Sequence, residues 1–582
     1  MFENVETRTL IYKEMLLILL AVLLLSILSL NLRYDFSRLH GTLYYDVLLY
    51  LPQPAIPILA IFIFVSVSAL LVDSFQSRLR LVWALFIPSI YILEVLVNYP
   101  NIWARDVYLH GQIWEIDIYG NLQSIHDLYP KEDPGFFLTL YGVYKILGLN
   151  NTIVANLFVL YPALMLTLVL FIYVVSYHIL EDRTSSLIAT LLAFNLTQFN
   201  RNELTFVHAN TRLYSLVILL FALYSILPLR EDRRPLMMLT LASVTLAISH
   251  PLFQLVVPAT LLFILVLGII WKGPESKRLQ SRNIALCFLI VAGTVSVWNI
   301  WNYYNYFFRI GVNSFFNYMY HIMGWDLVTY SLTIREPIPL IGLILRNYYK
   351  VTITLVTLVV VVYIVWGLFK GELTREEIFV ASFSLAIAVT FFTTIFSASL
   401  GNSIDRALIS FPIPVSILFT RIIQSFLSRH KMNVVMKTVL ITSLLTTTFG
   451  GYLLVHEIPV LHARTAPLND ASLFLIINRN GKEAGSHITV TSPYDIYFYY
   501  FDPASWVKVE RMDLINNLSE ATKNLLETSG IRVIDIRSAI IWGGRYNDLY
   551  RALNEFYILV VTPLNKHCDL IYDNGGDEFI YS

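Results

Sequence analysis

The sequence predicts an α-helical polytopic membrane protein with about thirteen transmembrane helices and a small C-terminal extracytoplasmic α/β domain. Three observations carry that expectation. Of 582 residues, 56% are hydrophobic and 14% charged, against about 25% charged in an ordinary soluble protein. Apolar segments of roughly 20 residues, the length a hydrocarbon core demands, recur from residue 12 to residue 455. Residues 456–582 then carry 16 acidic and 11 basic side chains, a globular level of charge.

The same numbers exclude whole classes of function. So few charges cannot clothe a soluble enzyme of this size, and so apolar a chain is not intrinsically disordered. The 41 basic and 41 acidic residues cancel, which leaves no strongly basic surface for reading nucleic-acid phosphates. Cys287 and Cys568 are too few for a disulfide framework or a cysteine metal cluster. No Gly-x4-Gly-Lys-[Ser/Thr] loop points to ATP, and no GxGxxG, Gly-x-Ser-x-Gly or His-Glu-x-x-His motif occurs. The apolar segments lack the chain of buried acids expected of an ion-coupled transporter, and no internal repeat is present.

Taken in order, the segments lie near 12–30, 53–72, 81–98, 152–179, 184–199, 212–228, 235–250, 252–271, 283–301, 350–369, 377–397, 407–423 and 433–455. The first is long, and no small-residue cleavage site precedes the polar stretch Asn31–His40, so it reads as a span and not as a cleaved signal peptide. The short segments 184–199 and 235–250 fit a bilayer least well. Alternate short loops carry Arg8 and Lys13; Arg78 and Arg80; Arg183; Arg230, Arg233 and Arg234; Lys272, Lys277, Arg278 and Arg282; Lys370 and Arg375; and Arg429, Lys431 and Lys437. The positive-inside rule puts these loops and the N-terminus in the cytoplasm, and an odd number of spans puts the tail outside.

This divides the chain into a multi-pass domain, 1–455, with external loops 99–150 and 302–349, and a soluble extracytoplasmic α/β domain, 456–582. The first loop ends in an amphipathic stretch, GFFLTLYGVYKILGL. The second is dense in Tyr, Phe and Asn and suggests helices lying in the interface. The tail alternates helix-like runs (470–478, 513–528, 547–556) with strand-like runs (487–491, 531–536, 557–562), a pattern of α/β type.

Charge inside a bilayer is costly, so the few polar groups at the outer helix mouths are informative. Spans from 152 onward hold almost no acids, while upstream Glu94 sits about one turn from the outer end of the third. Arg105, Asp106 and His110 follow in the first loop. Glu203, His208, Asn210 and Arg212 lie between spans five and six, His250 between seven and eight, and Asp405 and Arg406 before span twelve. In NIWARDVYLHG, a helix would put Asp106 and His110 on one face at i,i+4 spacing. Asp106 is then either a general base toward a hydroxyl or a solvated acid paired with Arg105. HDLYPKEDPG is stiffened by Pro130 and Pro134, with Asp133 before the second proline, and is either a turn or the acidic wall of a site. Arg406 in GNSIDRALISFPIP and Arg212 in HANTRLYS suit bidentate phosphate binding or interfacial snorkelling. His208 and His250 are phosphate or metal contacts, or structural hydrogen-bonding groups.

On WARDVYLHG at the start of the first large external loop, LYPKEDPGFFLTLYGVYKILGL behind it, Arg406 before a late span and a tail closing in LIYDNGGDEFIY, the chain resembles the GT-C-fold glycosyltransferases. These multi-spanning enzymes take sugar from polyprenyl-phosphate carriers on the outer side. Three spans precede the acidic loop here, two more than in the family's usual layout. The oligosaccharyltransferase signature Trp-Trp-Asp-Tyr-Gly is absent, WGGRYND being the nearest run, which favours transfer of a single sugar over a whole glycan.

The resemblance implies an inverting enzyme with Asp106 as base and Arg406, with Arg212, on the donor phosphate. Glu94, His110, Asp133, His208 and His250 would lie near substrate or metal. Its partners would be a polyprenyl- or dolichyl-phosphate-linked sugar and a glycan, lipid or protein acceptor. Family members differ over a divalent cation, and an acid with nearby histidine accommodates magnesium or manganese as well as none. Two rivals stay open: a glycan ligase or polymerase that needs no essential carboxylate, and a non-enzymatic transporter or lipid scaffold.

Overall fold

Within hydrocarbon every backbone N–H and C=O must find its partner inside the protein, so apolar runs become helices. The computed structural model describes residues 2–32, 54–71, 80–98, 135–149, 154–198, 211–227, 234–249, 253–271, 282–301, 340–395, 410–429 and 442–450. In the tail it describes 487–490, 508–511, 526, 531–535, 559, 562–567, 570–573 and 578–581.

The helices are α1 (Phe2–Asn31), α2 (Ala55–Leu71), α3 (Arg80–Asn98), α4 (Gly135–Ile146), α5 (Tyr161–Leu180), α6 (Arg183–Gln198) and α7 (Thr211–Ile226). They continue with α8 (Arg234–Ala247), α9 (Phe253–Ile270), α10 (Arg282–Trp301), α11 (Leu340–Lys370), α12 (Arg375–Ile395) and α13 (Pro412–Arg429). Residues 442–450 are also helical, so each apolar segment read from the sequence carries described helix. Among the described residues, four helical stretches are long and apolar enough to cross a membrane: Tyr12–Asn31, Ala155–Leu180, Phe253–Ile270 and Val351–Lys370.

Two of these form lipid-like exteriors. On α11, Val351, Leu355, Leu358, Val362, Trp366 and Phe369 are exposed at helical spacing, and α1 exposes Tyr12, Leu16, Leu19, Leu23 and Leu30. Apolar stripes of this length are untenable in water and ordinary in a bilayer.

α6 is the opposite case. Ser186–Thr197 is buried throughout, and α6 packs against α2, α3, α5 and α13. A helix that meets other helices instead of lipid can afford small and polar residues, which allow close approach. Its hydroxyls bond back to their own helix, as Thr190 Oγ1 to Ser186 O at 2.7 Å. Asn195 Nδ2 donates to Thr448 Oγ1 at 2.6 Å and ties α6 to the last helical segment. α5 turns into α6 through Glu181, whose φ of 55° ends α5, and Asp182, whose Oδ2 accepts the Ser185 N–H at 2.7 Å as an N-cap.

At the helix ends that the sequence reading assigns to the cytoplasm, Thr374-Arg375-Glu376-Glu377 forms a capping box. Thr374 N–H donates to Glu377 Oε2 at 2.8 Å, and Glu377 N–H donates to Thr374 Oγ1 at 3.3 Å. The other oxygen, Glu377 Oε1, accepts from Tyr363 Oη of α11 at 2.9 Å and Arg421 Nε of α13 at 3.0 Å. Gln424 Nε2 donates to Leu180 O at 3.3 Å, and Arg375 Nη2 to Leu227 O at 3.1 Å. Side chains thus cap the carbonyl ends of α5 and α7, which a helix cannot satisfy by itself.

One boundary departs from expectation. α11 starts at Leu340, so residues 340–349, read as part of an external interfacial piece, are continuous with the span that follows. Its 31 residues measure about 46 Å, well beyond a 30 Å hydrocarbon core. The polar run Arg346–Lys350 marks an interface, but nothing in it breaks a helix.

In the tail, β1 (His487–Val490), β2 (Lys508–Arg511), β3 (Ile531–Asp535), β4 (Leu570–Asp573) and β5 (Glu578–Tyr581) form one sheet in the order β2-β1-β3-β5-β4. β1 is parallel to β2 and β3, while β5 is antiparallel to β3 and β4. The β4–β5 hairpin matches LIYDNGGDEFIY, and β1 and β3 fall on expected strands. The run 557–562 does not: Leu559 and Thr562 are helical, and Pro563 sits in the first turn of α14 (Thr562–His567), a position that starts helices well. Of the three helix-like runs, only Leu526 is among the described residues.

Candidate functional site

α4 is docked at one end of the helix bundle, the end that the sequence reading assigns to the outer side. Its first residue, Gly135, donates its N–H to Ile248 O at 2.6 Å. A Cβ at that position would lie 2.5 Å from Ser249 Oγ and 2.9 Å from Ile248 O, so only glycine lets the two backbones meet. Phe136 packs edge-on to Tyr214 of α7 with centroids 6.0 Å apart, and Thr139 Oγ1 donates to Tyr214 Oη at 3.0 Å. The first two turns of α4 are therefore fixed to the start of α7 and to the residues just after α8.

Behind α4, residues Ala155–Leu160 form a π-helical turn that leads into α5 at Tyr161-Pro162. Such turns often mark functional sites, because they re-aim side chains within an otherwise regular helix. This one packs against α4 and α3 and buries Asn156 and Tyr161. Glu94 of α3 is 6% exposed and lies within electrostatic range of Tyr161. On α3 one turn earlier, Tyr91 packs against Phe194 of α6 at 5.9 Å.

Two of the sequence-derived site residues, Glu94 and Arg212, are among the described residues. Glu94 is buried and engaged by its surroundings, and Arg212 is half-buried and also engaged. Arg212 stands in the first turn of α7, two residues from the Tyr214 that α4 grips. That end of a helix carries a partial positive charge, which a guanidinium reinforces as a place for an anion. Asp106, His110, Asp133, His208, His250 and Arg406 lie outside the described residues. Gly135, two residues after Asp133, is nevertheless bonded to Ile248, two residues before His250.

Sequence reasoning did not single out two buried acids. Glu14 on α1 is as buried as any apolar neighbour, and Glu377 anchors the clamp described above. Glu14 could have been found by the rule that selected Glu94, a charge inside an apolar run. Among the described residues, no group of three His, Cys, Asp or Glu could hold a metal ion.

No family model matches the chain, and neither does any curated protein. Among solved structures, it is similar to the archaeal oligosaccharyltransferase AglB from Archaeoglobus fulgidus in complex with an inhibitory peptide and a dolichol-phosphate. That likeness has a TM-score of 0.46 and 10% identity, over 87% of this chain and 75% of that one. It is also similar to ArnT from Cupriavidus metallidurans bound to undecaprenyl phosphate, with a TM-score of 0.43 and 10% identity over 86% of this chain and 97% of that one. The apo state of ArnT gives a TM-score of 0.42 at the same identity and coverage.

Proposed function

We propose that this chain is a membrane glycosyltransferase of the GT-C type. In this reading it moves a sugar from a polyprenyl- or dolichyl-phosphate-linked donor to a lipid, glycan or protein acceptor on the extracytoplasmic side. The observation that carries the reading is the meeting of five element ends: α3 with Glu94, the π-turn, α4 behind Asp133, α7 with Arg212, and the end of α8 before His250. Element ends that meet at one end of an apolar bundle, each bearing or flanking a polar residue in the sequence, suit a substrate with a lipid tail and a polar head.

Asp106 takes the proton from the acceptor hydroxyl as its oxygen attacks the anomeric carbon. The bond from that carbon to the phosphate oxygen breaks on the opposite face, so the configuration inverts and polyprenyl phosphate leaves. Arg212 and Arg406 hold the phosphate and stabilise the charge that builds on it. The phosphate is already a good leaving group, so the site needs no nucleotide. A divalent magnesium or manganese ion would find its ligands among Asp106, His110, Asp133, His208 and His250.

The test is transfer from lipid-linked sugars in membranes holding the full chain. The wild type should release polyprenyl phosphate and form an inverted glycoside, and Asp106→Asn should lower the rate by about 10²–10⁴-fold, the usual contribution of a general base. Full activity in Asp106→Asn removes the assigned base. A wild type that uses no lipid-phosphate sugar removes the class.

A further inference from the structure

The far end of α4 is built differently from its docked start. Phe136 and Leu140 are buried, but Ile146 is 85% and Leu147 52% exposed. Between the two faces stands Lys145, with Nζ 5.5 Å from the Tyr141 ring centroid and 5.4 Å from that of Tyr144. The last carbonyls are turned inward. Gly148, at φ 60°, donates to Lys145 O at 3.2 Å, and Leu149 N–H donates to Tyr144 O at 3.1 Å, the bonds of a Schellman motif. The stretch 135–149 holds no acid, so Lys145 is its single formal charge.

We propose that this end of α4 binds the phosphate of an anionic phospholipid headgroup. Lys145 pairs with the phosphate, Tyr141 and Tyr144 lie at headgroup depth, and Ile146 and Leu147 enter the acyl chains. This is the amphipathic order of an interface-seated helix. A free phosphate would leave Ile146 and Leu147 in water, which favours a lipid as occupant. The site is also separate from the proposed catalytic mouth. Lys145 is ten residues from Gly135, about 15 Å along the axis, whereas the contacts of α4 with Tyr214 and Ile248 are confined to its first two turns. The proposal rests on the membrane reading and does not depend on sugar transfer.

A site-specific quenching experiment tests it. The full chain, carrying Ile146→Cys with an environment-sensitive fluorophore and Cys568→Ser, is placed in nanodiscs with brominated phosphatidylglycerol or brominated phosphatidylcholine at equal mole fraction. The anionic phosphatidylglycerol should quench more strongly by about fivefold, the advantage one lysine confers near an anionic surface. Lys145→Gln should bring the ratio close to one, and Lys145→Arg should keep it. Equal quenching by the two lipids, no quenching by either, or an unchanged ratio in Lys145→Gln overturns the proposal. Loss of the preference on adding a trace of polyprenyl phosphate would identify the occupant as a lipid-linked substrate, and loss on adding inorganic phosphate would identify a free anion. Either result overturns it.

Discussion

Glu377 shows how a buried charge is kept in an apolar bundle. It is 3% exposed, and its oxygens receive one backbone N–H, one phenol and one guanidinium from three different stretches of chain. Removing the carboxylate leaves Arg421 facing low dielectric without its counter-charge. Breaking such a pair costs about 3–5 kcal/mol when both partners are buried. Arg421 keeps 29% exposure, so the low end applies, and Glu377→Ala should destabilise by about 3 kcal/mol. Tyr363→Phe removes one neutral donor and should cost about 1 kcal/mol. Thermal unfolding midpoints in detergent should fall in that order, and a Glu377→Ala midpoint equal to wild type would refute the clamp. Half of this feature was legible. Thr374 and Glu377 stand three apart before an apolar run, a capping box on inspection. Arg421 is 44 residues away, and no single sequence says which distant cation a buried acid will meet. Glu14 escaped notice for a related reason: it stands beside Lys13, where charge near the basic end of a span looks ordinary.

At the scale of elements, α4 joins the two halves of the proposed site, and two of its glycines separate docking from helix propensity. Gly135→Ala drives a methyl into Ile248 O and Ser249 Oγ, and backbone cannot rotate aside as a side chain can. The helix must lift from α8 at a cost of about 1–3 kcal/mol, as overpacking usually does. Gly142 has nothing within 4 Å of its would-be Cβ, so Gly142→Ala should be neutral or stabilise by up to about 1 kcal/mol. Paired unfolding and transfer assays check this. A harmless Gly135→Ala would mean that α4 is not seated by that contact. The amphipathic pattern made α4 legible, because Phe136 and Leu140 repeat at helical spacing while polarity falls elsewhere. The early start of α11 was not legible: its polar Arg346–Lys350 looks like a loop, yet an interface lets a helix carry such residues outward. β2 was missed because KVER offers no alternation long enough to distinguish a strand, and its pairing with β1 is decided across the chain. Most of the acids and histidines that the sequence singled out lie outside the described residues, and chain pattern alone fixes their composition but not their position.

For the whole molecule, the decisive question is the parity of the spans, since it decides which face bears the proposed chemistry. Leu147 follows α4, and Glu372 lies between α11 and α12; among the described residues seven α-helices, α5 to α11, separate them. If each crosses the bilayer, the two residues are on opposite sides. Short helices are the weak points, because α8 has only 14 residues, about 21 Å against a 30 Å hydrocarbon core. Burial relaxes that demand: a helix enclosed by others can meet the interface through its flanking loops or through local thinning. The cysteine variants Leu147→Cys and Glu372→Cys, each combined with Cys568→Ser, read the parity directly. Both native positions are exposed, and the one other thiol, Cys287, is buried. An impermeant maleimide applied to intact cells should label position 147 at once and position 372 only after permeabilisation. The basic loops between them require that result, since Arg183, Arg230 to Arg234, Lys272 to Arg282 and Lys370 to Arg375 recur after every second helix. Labelling of both from outside would mean that an even number of these helices cross. If the helix that fails to cross lies between α4 and the end of α8, the mouth built by α3, α4, α7 and α8 no longer opens onto a single face and the proposed site cannot assemble. If it is α9, α10 or α11, the mouth stands and only the side assigned to the later loops changes.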